Sequence, residues 1–289
     1  MLSSKEIRNN IESIKNTNKI TKTMEMISIS KMQKMKLLIN SRSAYYCAIN
    51  KIVTNIIQAK LEYFHSYIKN EYKIDAVCII IVSTEKGLCG SLNNNLFKEV
   101  LKIIRQYSEE NVKLIVLGKK SKFFFKFFSK NIILFKSNFG YSSLYKNAIK
   151  ILNIIKNLYN EKKVKKIFLA SNRFKNSMTF IPRMFQLLPI YNVNVHKNIY
   201  RKHSWDYIYE PEIKWLLDML FDRYLESKIY YSILENLYCE QSARIVSMKQ
   251  ATDNGNNILK KLQLTYNKHR QYNVTKELIE IVSGYSAIL

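Results

Sequence analysis

Apolar side chains recur at helical spacing near the N-terminus of the chain. Ile7, Ile11 and Ile14 follow one another at intervals of four and three residues, which places them on one face of a helix. Because neither glycine nor proline precedes Gly87, we expect one uninterrupted helix over roughly residues 3 to 58, about 80 Å long. The stripe is interrupted by the polar residues Asn18, Thr21, Glu25 and Ser28.

The C-terminal part of the chain carries a second stripe with heptad-like spacing. Pro211 suits the first position of a helix, and Glu212 beside it complements the helix dipole. Beyond that point Gly255 and Gly284 are the only helix breakers. Two apolar stripes at opposite ends of one chain bury each other as a coiled coil, and an antiparallel pairing is the simplest arrangement.

The middle of the chain alternates strand-like and helix-like segments, which predicts βαβ units and a mainly parallel sheet. We therefore expect an N-terminal coiled-coil helix over residues 1–74, a central α/β domain over 75–200, and a loop with the C-terminal helix over 201–289. The predicted strands are Ala76–Val82, Lys113–Leu117, Asn131–Phe135 and Lys166–Ala170, and the predicted helices between them are Asn93–Tyr107, Lys119–Ser129 and Ser142–Asn160.

The charge of the chain is strongly positive. Its 289 residues include 47 Lys and Arg against 22 Asp and Glu, a formal net charge of +25. Such a balance is typical of proteins that bind nucleic acid or another anionic surface. Lysine, isoleucine and asparagine are all abundant and share AT-rich codons, so genome composition is an alternative source of the charge. With 47% hydrophobic residues the chain is expected to fold into a soluble protein.

Motifs that would indicate an enzyme are missing. The loop Glu85–Gly90 follows the first predicted strand, but neither it nor Gly118–Ser121 has the glycine spacing of a phosphate-binding loop. A structural turn is the default for both loops. Cys89 is a possible nucleophile with no histidine close to it in sequence. The histidines and cysteines show no metal-ligand spacing, so we expect no metal and no cofactor.

One further segment, Ser204–Pro211, combines three aromatic and two acidic residues before the last helix. It is either a loop that anchors the coiled coil or a partner interface, because Trp and Tyr are common contact anchors. No stretch has the length and hydropathy of a membrane span, no secretory signal is visible, and the cysteine pattern fits a reducing cytoplasm.

Five long segments resemble, in order, the γ subunits of bacterial F-type ATP synthases. They are KEIRNNIESIKNTNKITKTMEMISISKM (5–32), VSTEKGLCGSLN (82–93), SWDYIYEP (204–211), ENLYCEQSARIVSMKQATDNG (235–255) and LQLTYNKHRQYNVTKELIEIVSG (262–284). The resemblance implies a long antiparallel coiled coil of the two terminal helices with a central Rossmann-like domain.

The same resemblance implies the function of a non-catalytic rotor. One copy would stand inside three α and three β subunits, contact the ε subunit and the membrane c-ring, and couple proton flow to ATP synthesis. It would lie at the cytoplasmic face of the bacterial plasma membrane as a peripheral subunit. The alternatives are a basic coiled-coil protein that binds nucleic acid and a nucleotide-dependent enzyme.

Matched positions imply roles for particular residues. Those expected to contact β subunits are Met24, Lys86, Cys89, Arg244, Arg270, Gln271, Thr275 and Glu277. Those expected to dock on the c-ring and ε are Tyr207, Tyr209 and Glu210. Those expected in an apolar bearing at the top of the ring of α and β subunits are Ile281, Val282, Ile288 and Leu289.

Overall fold

A computed structural model describes residues 4–58, 65–68, 75–137, 144–176, 179–190, 207–210 and 212–286. The chain divides into two compact units. Unit 1 consists of Met1–Ser30 and Arg244–Leu289, and unit 2 of Lys31–Ala243. Both terminal helices contribute to both units.

The secondary structure follows the predicted order of elements. The helices are α1 (Ser4–Gln58), α2 (Leu92–Tyr107), α3 (Lys119–Phe124), α4 (Leu144–Asn160) and α5 (Ile213–Ser286). The strands are β1 (Val77–Val82), β2 (Val112–Leu117), β3 (Ile132–Lys136), β4 (Lys166–Phe174) and β5 (Phe180–Leu188). Glu109–Asn111 and Phe125–Asn131 form short 3₁₀ helices, so the helix predicted for Lys119–Ser129 changes type after Phe124.

The five strands form one sheet in the order β3-β2-β1-β4-β5. The pairs β1–β2, β1–β4 and β2–β3 are parallel, which confirms the mainly parallel sheet. β5 was not predicted, and it pairs antiparallel with β4 at the edge of the sheet. Pro182 lies in β5, and an edge strand is the place in a sheet that tolerates proline.

Helices cover both faces of this sheet. β1 is buried along its whole length, as expected for the central strand of a parallel sheet. Val77, Ile79 and Ile81 face the apolar side of α2, while Cys78 and Ile80 face the core that α4, α1 and α5 share in unit 2. The continuous apolar run of β1 therefore serves two cores.

The terminal helices are long because little in their sequences interrupts them. α1 has 55 residues and α5 has 74, and α5 continues through Gly255. Pro211 lies outside the described residues, and α5 begins two positions later at Ile213. Among the described helices, none is both long enough and apolar enough to span a membrane.

Candidate functional site

Polar side chains join the two long helices in unit 1. Asn18 Nδ2 donates a hydrogen bond to Asn256 Oδ1 at 2.9 Å, and the hydroxyls of Thr21 and Thr252 lie 2.8 Å apart. A later residue of α1 meets an earlier residue of α5, so the helices run antiparallel here. We call Asn18, Thr21, Thr252, Gly255 and Asn256 the polar seam.

Gly255 allows the closest approach in this seam. A Cβ atom built at Gly255 would lie 1.9 Å from Asn18 Oδ1, far inside van der Waals contact. A glycine in the middle of a helix costs about 1 kcal/mol relative to alanine. The Asn18 amide occupies the space that a side chain at position 255 would need.

The buried side chains of α1 in unit 1 include both apolar and polar groups. Ile7 is buried at the start of the helix, and Ser28 is buried near residue 30. Glu25 is also buried, and its carboxylate accepts a hydrogen bond from Lys22 Nζ at 3.0 Å. Of the four polar positions that interrupt the apolar stripe, Glu25 and Ser28 are buried, and Asn18 and Thr21 are half-buried.

Met24 and Arg244 lie on the long helices within unit 1. Met24 is half-buried, and its carbonyl accepts a hydrogen bond from Ser28 Oγ at 2.8 Å. Arg244 is only 6% exposed. Burial of a residue that is always charged requires hydrogen-bonding partners, so Arg244 is held by its surroundings.

The last turns of α5 are exposed. Every residue from 274 to 285 is exposed, including Ile281 at 68% and Val282 at 66%. Arg270, Gln271, Thr275 and Glu277 are exposed as well, and Thr275 Oγ1 donates to the Gln271 carbonyl at 2.8 Å. Ile288 and Leu289 lie outside the described residues.

Helix geometry sorts these four polar residues into two rows. Arg270 and Glu277 are seven positions apart, which places them on nearly the same face, about 20° apart. Gln271 and Thr275 lie one turn apart on another face. A partner approaching from one side would therefore meet one row at a time.

The loop after β1 presents one predicted contact residue and buries the other. Lys86 is exposed, and its carbonyl accepts a hydrogen bond from Thr84 Oγ1 at 2.7 Å. Cys89 is only 3% exposed, and its thiol donates to the Gly87 carbonyl at 3.3 Å. Lys86 can therefore reach a partner directly, whereas Cys89 supports the loop from inside.

Side chains of α5 fill the crevice at the carboxyl ends of β1 and β4. In an open parallel sheet this crevice, where the strand order reverses, is the usual nucleotide site. Here Asn236 Oδ1 accepts hydrogen bonds from the Asn172 backbone at 3.2 Å and from Asn172 Nδ2 at 2.9 Å. Cys239 and Ala243 pack there against Cys89. Helix α5 thus occupies the space that a nucleotide would need.

The carboxyl ends of β1 and β2 are also closed by protein groups. Ser83 Oγ donates to the Leu117 carbonyl at 3.0 Å and lies 2.7 Å from Ser121 Oγ. A Cβ at Gly118 would lie 2.6 Å from Ser83 Oγ, and Gly118 has a φ of 100°. The turn that follows β1 and the turn that follows β2 are therefore tight structural turns.

The buried thiols are unsuited to nucleophilic chemistry. Burial raises the pKa of the Cys239 thiol, and Glu235 raises it further. Burial likewise raises the pKa of Cys78 to about 12. Since the thiolate is the reactive form, both cysteines are inert at neutral pH. Among the described residues, no group of three His, Cys, Asp or Glu side chains could hold a metal ion.

The segment 207–210 lies before α5. Tyr207 and Tyr209 are half-buried and pack on the core of unit 2, and Asn55 Nδ2 donates to Tyr207 OH at 2.9 Å. Glu210 is exposed. Ile208, between the two tyrosines, is 92% exposed. The sequence analysis did not single it out, although its position between two anchoring tyrosines predicts that it faces the opposite way. The segment combines an anchor with an exposed face.

A buried lysine lies where α1, α5 and β5 meet in unit 2. Lys228 is 6% exposed, and its Nζ lies 4.1 Å from the Phe185 ring centroid and donates to Tyr46 OH. Tyr46 in turn stacks on Tyr231, with centroids 4.3 Å apart. Burial, together with nearby Arg183, lowers the pKa of Lys228 to about 8.

Comparison with known proteins agrees with this architecture of two long paired helices and an α/β body. A family model described as ATP synthase matches residues 3–288. The ATP synthase gamma chain of Buchnera aphidicola subsp. Schizaphis graminum is 47% identical, covering 100% of this chain and 99% of the relative.

Solved structures share the fold at lower identity. The rotor of Euglena gracilis mitochondrial ATP synthase in rotational state 1 has a TM-score of 0.66 at 18% identity, and the match covers 94% of this chain and 98% of that chain. A chain from the OSCP/F1/c-ring structure of the same enzyme in rotational state 3 has a TM-score of 0.68 at 18% identity, with 99% and 94% covered.

This chain shares with these solved chains a fold made of an α/β body and two long helices. Full-length identity and the family match then fix the class further. The chain belongs to the family of ATP synthase γ chains. It is a subunit of the complex that synthesises ATP.

Proposed function

We propose that this chain is the non-catalytic rotor of a bacterial F-type ATP synthase. It couples proton flow through the membrane ring to ATP synthesis by the α and β subunits, and it takes part in regulating ATPase activity. One copy contacts three α subunits, three β subunits, the ε subunit and the c-ring. In this assembly it is peripheral, at the cytoplasmic face of the plasma membrane.

The observation that carries this proposal is the exposed end of α5. From residue 274 to 285 the helix has no buried position, yet it carries apolar residues such as Leu278, Ile281 and Val282. An exposed apolar helix end is unfavourable in a free protein and is typical of a surface that a partner covers. A ring of partner subunits that encloses the helix would cover it on every side.

The internal chemistry of unit 1 supports transmission of rotation. A rotor must keep its two helices in one register while it is twisted. Hydrogen-bonded polar pairs specify register in helix pairs better than apolar contacts, which slide. Asn18–Asn256 and Thr21–Thr252 are two such pairs on adjacent turns.

The residues that engage β subunits in this proposal are Met24, Lys86, Arg270, Gln271, Thr275 and Glu277, with Cys89 acting through the Lys86 loop and the buried Arg244 acting through the residues around it. Arg270 carries the clearest chemistry, because a guanidinium can bind a carboxylate through two hydrogen bonds. Tyr207, Tyr209 and Glu210 dock on the c-ring and ε. Ile281, Val282, Ile288 and Leu289 form the apical bearing.

Two charge-removing variants test the proposal in the complete complex. Arg270→Ala and Glu277→Ala each remove a charged group that is exposed in this chain. A hydrogen bond to a charged group is worth about 1.5–3 kcal/mol, so we expect about a tenfold or greater loss of proton-driven ATP synthesis. The measurement is ATP synthesis and ATP-driven proton pumping in inverted membrane vesicles, at equal content of the complex.

Lys276→Ala and Glu280→Ala are the matched controls. These two residues form an exposed ion pair in the same helical turns, with 3.6 Å between Nζ and Oε1. We expect near-normal synthesis in both controls. Normal synthesis in Arg270→Ala and Glu277→Ala would contradict the coupling roles, and ATP hydrolysis by the purified chain alone would contradict the rotor.

A further inference from the structure

Two phenylalanines of the segment Lys119–Asn131, Phe123 and Phe127, do not pack into the apolar core. Phe123 is 82% exposed and Phe127 is 96% exposed. Phe125 is fully buried, and its ring packs edge-to-face on Phe97 with centroids 5.4 Å apart. Phe124 stacks on the same Phe97 ring at 4.6 Å. The fold therefore uses the inward rings and leaves Phe123 and Phe127 in solvent.

Five lysines lie in the same segment as the two exposed rings. All five lysines from 119 to 131 are exposed, and the stretch contains no Asp or Glu. Lys122, the neighbour of Phe123 in sequence, has its Nζ 4.2 Å from the centroid of the Phe135 ring. We define the Phe–Lys patch as Phe123, Phe127, Lys119, Lys120, Lys122, Lys126 and Lys130.

The chemistry of the patch distinguishes its possible occupants. Protein interfaces are depleted in lysine and enriched in arginine, whereas every charged residue of the patch is a lysine. Surfaces that bind single-stranded nucleic acid are grooves with stacking platforms, whereas Phe123 and Phe127 project from a short helix and the 3₁₀ turn that follows it. Phenylalanine with lysine on a polar helical surface is typical of segments that lie in a lipid headgroup region.

We propose that the Phe–Lys patch binds an anionic lipid surface. The two phenyl rings enter the boundary between headgroups and acyl chains, and the lysine ammonium groups contact lipid phosphates. Long lysine side chains allow this, because an apolar stem can lie along apolar groups while the charge stays in water. The property belongs to the free surface of this chain and does not depend on the coupling role.

Vesicle flotation with the full-length chain tests the proposal. The probes are vesicles of equimolar phosphatidylcholine and phosphatidylglycerol, and vesicles of phosphatidylcholine alone. The net charge of +25 attracts the chain to any anionic surface, so the informative variant keeps every charge. For Phe123→Ser/Phe127→Ser we expect about tenfold weaker partitioning onto the anionic vesicles. Circular dichroism checks that the variant is folded.

The matched apolar control removes exposed side chains elsewhere. Leu37 and Leu264 are 70% and 64% exposed on α1 and α5. Leu37→Ser/Leu264→Ser should bind the anionic vesicles as tightly as the wild type. An equal loss in this control would overturn the proposal, because binding would then follow total exposed apolar area.

A second pair of variants separates local from total charge. Lys122→Gln/Lys126→Gln and Lys15→Gln/Lys19→Gln lower the net charge equally, and all four residues are exposed. We expect about a 25-fold loss for the patch pair, from about fivefold per lysine near the surface, and a smaller loss for the α1 pair. Equal losses would show binding by net charge alone and would overturn the proposal.

Two further outcomes also contradict it. One is vesicle binding that is unchanged in the Phe123→Ser/Phe127→Ser variant while binding to oligothymidylate is lost, which would assign the patch to nucleic acid. The other is unchanged vesicle binding with lost assembly onto α and β subunits, which would assign it to a protein interface.

Discussion

The sheet region of unit 2 and the helix pair of unit 1 are held together by different interactions. In unit 2, β1 and β2 are almost wholly buried between apolar helix faces, and Phe221 and Tyr224 of α5 lie in the same core. In unit 1, the contacts between the helices include two hydrogen-bonded side-chain pairs and a glycine. Unit 2 is stabilised by buried apolar area. In unit 1 the polar pairs specify register, which in helix pairs comes at a cost in stability relative to apolar contacts.

The largest expected effect comes from the apolar core of unit 2. Phe221 is fully buried, and its ring centroid lies 4.7 Å from that of His65. Truncation to alanine in Phe221→Ala leaves a cavity, which costs about 3–5 kcal/mol in buried phenylalanines. The measurement is the free energy of unfolding from urea titration of the isolated chain.

Phe127→Ala is the matched control for this change. It removes the same side chain from a position that is 96% exposed, so the free energy of unfolding should change by less than about 0.5 kcal/mol. Similar losses in the two variants would show that unit 2 does not depend on its apolar core in the way described.

Local sequence signals predicted most of unit 2. The four parallel strands begin within one residue of the expected positions, because continuous β-branched runs bounded by helices are a strong local pattern. β5 was missed because Pro182 and Arg183 break its pattern, and only pairing with β4 makes it a strand. The long helices were predictable because the sequence contains almost no helix breakers.

Candidate site residues were less accessible to sequence reasoning, because burial depends on distant partners. Cys89 was expected at a contact surface, yet Cys239 and Ala243 of α5 cover it. Asn18 and Thr21 looked like an interruption of the apolar stripe. Only their pairing with Asn256 and Thr252 shows that they form the seam. Nonlocal contacts of this kind leave no spacing pattern in one chain.

Gly255→Ala tests the polar seam directly and should have a middle-sized effect. The new Cβ would collide with Asn18 Oδ1 at 1.9 Å, so Asn18 must leave and its bond to Asn256 is lost. The lost bond and the displaced amide cost more than the gain of about 1 kcal/mol in helix propensity, for a net loss of at most about 1 kcal/mol, because Asn18 is a flexible side chain that can move aside. Amide hydrogen exchange in residues 10–28 and 248–262 measures the local loss.

Two variants sharpen this test. Gly284 has no neighbour within 4 Å of a new Cβ, so Gly284→Ala should gain stability from helix propensity alone. Combining Asn18→Ala with Gly255→Ala removes the clash and should restore most of the protection. If Gly255→Ala slowed exchange as Gly284→Ala does, close approach at Asn18 would not be the reason for the glycine.

The smallest expected effect concerns a polar group within the apolar unit. Lys228 is buried beside Tyr46 and Phe185, with Arg183, Arg173 and Glu235 as the other charges acting on it. Its pKa falls from the ordinary 10.5 to about 8, so folding disfavours the ammonium form. Replacing a buried charge with an apolar side chain of similar length is often stabilising. We expect the free energy of unfolding of Lys228→Met to be about 1 kcal/mol higher than that of the wild type at pH 7.

The pH dependence of Lys228→Met separates charge burial from simple packing. Between about pH 8 and pH 10.5 the unfolded wild type binds more protons at Lys228 than the folded chain, so wild-type stability rises with pH through this window. The advantage of the variant should therefore be complete at pH 7 and shrink toward pH 10. Tyr46, whose pKa burial raises to about 12, titrates in both chains and largely cancels in the difference. Lys146→Met, at an exposed position, should show no such trend. A stability advantage that stays constant from pH 7 to pH 10 would mean that packing, and not the buried charge, sets the effect. The buried polar group of unit 2 would then resemble the polar seam of unit 1 in carrying no charge penalty.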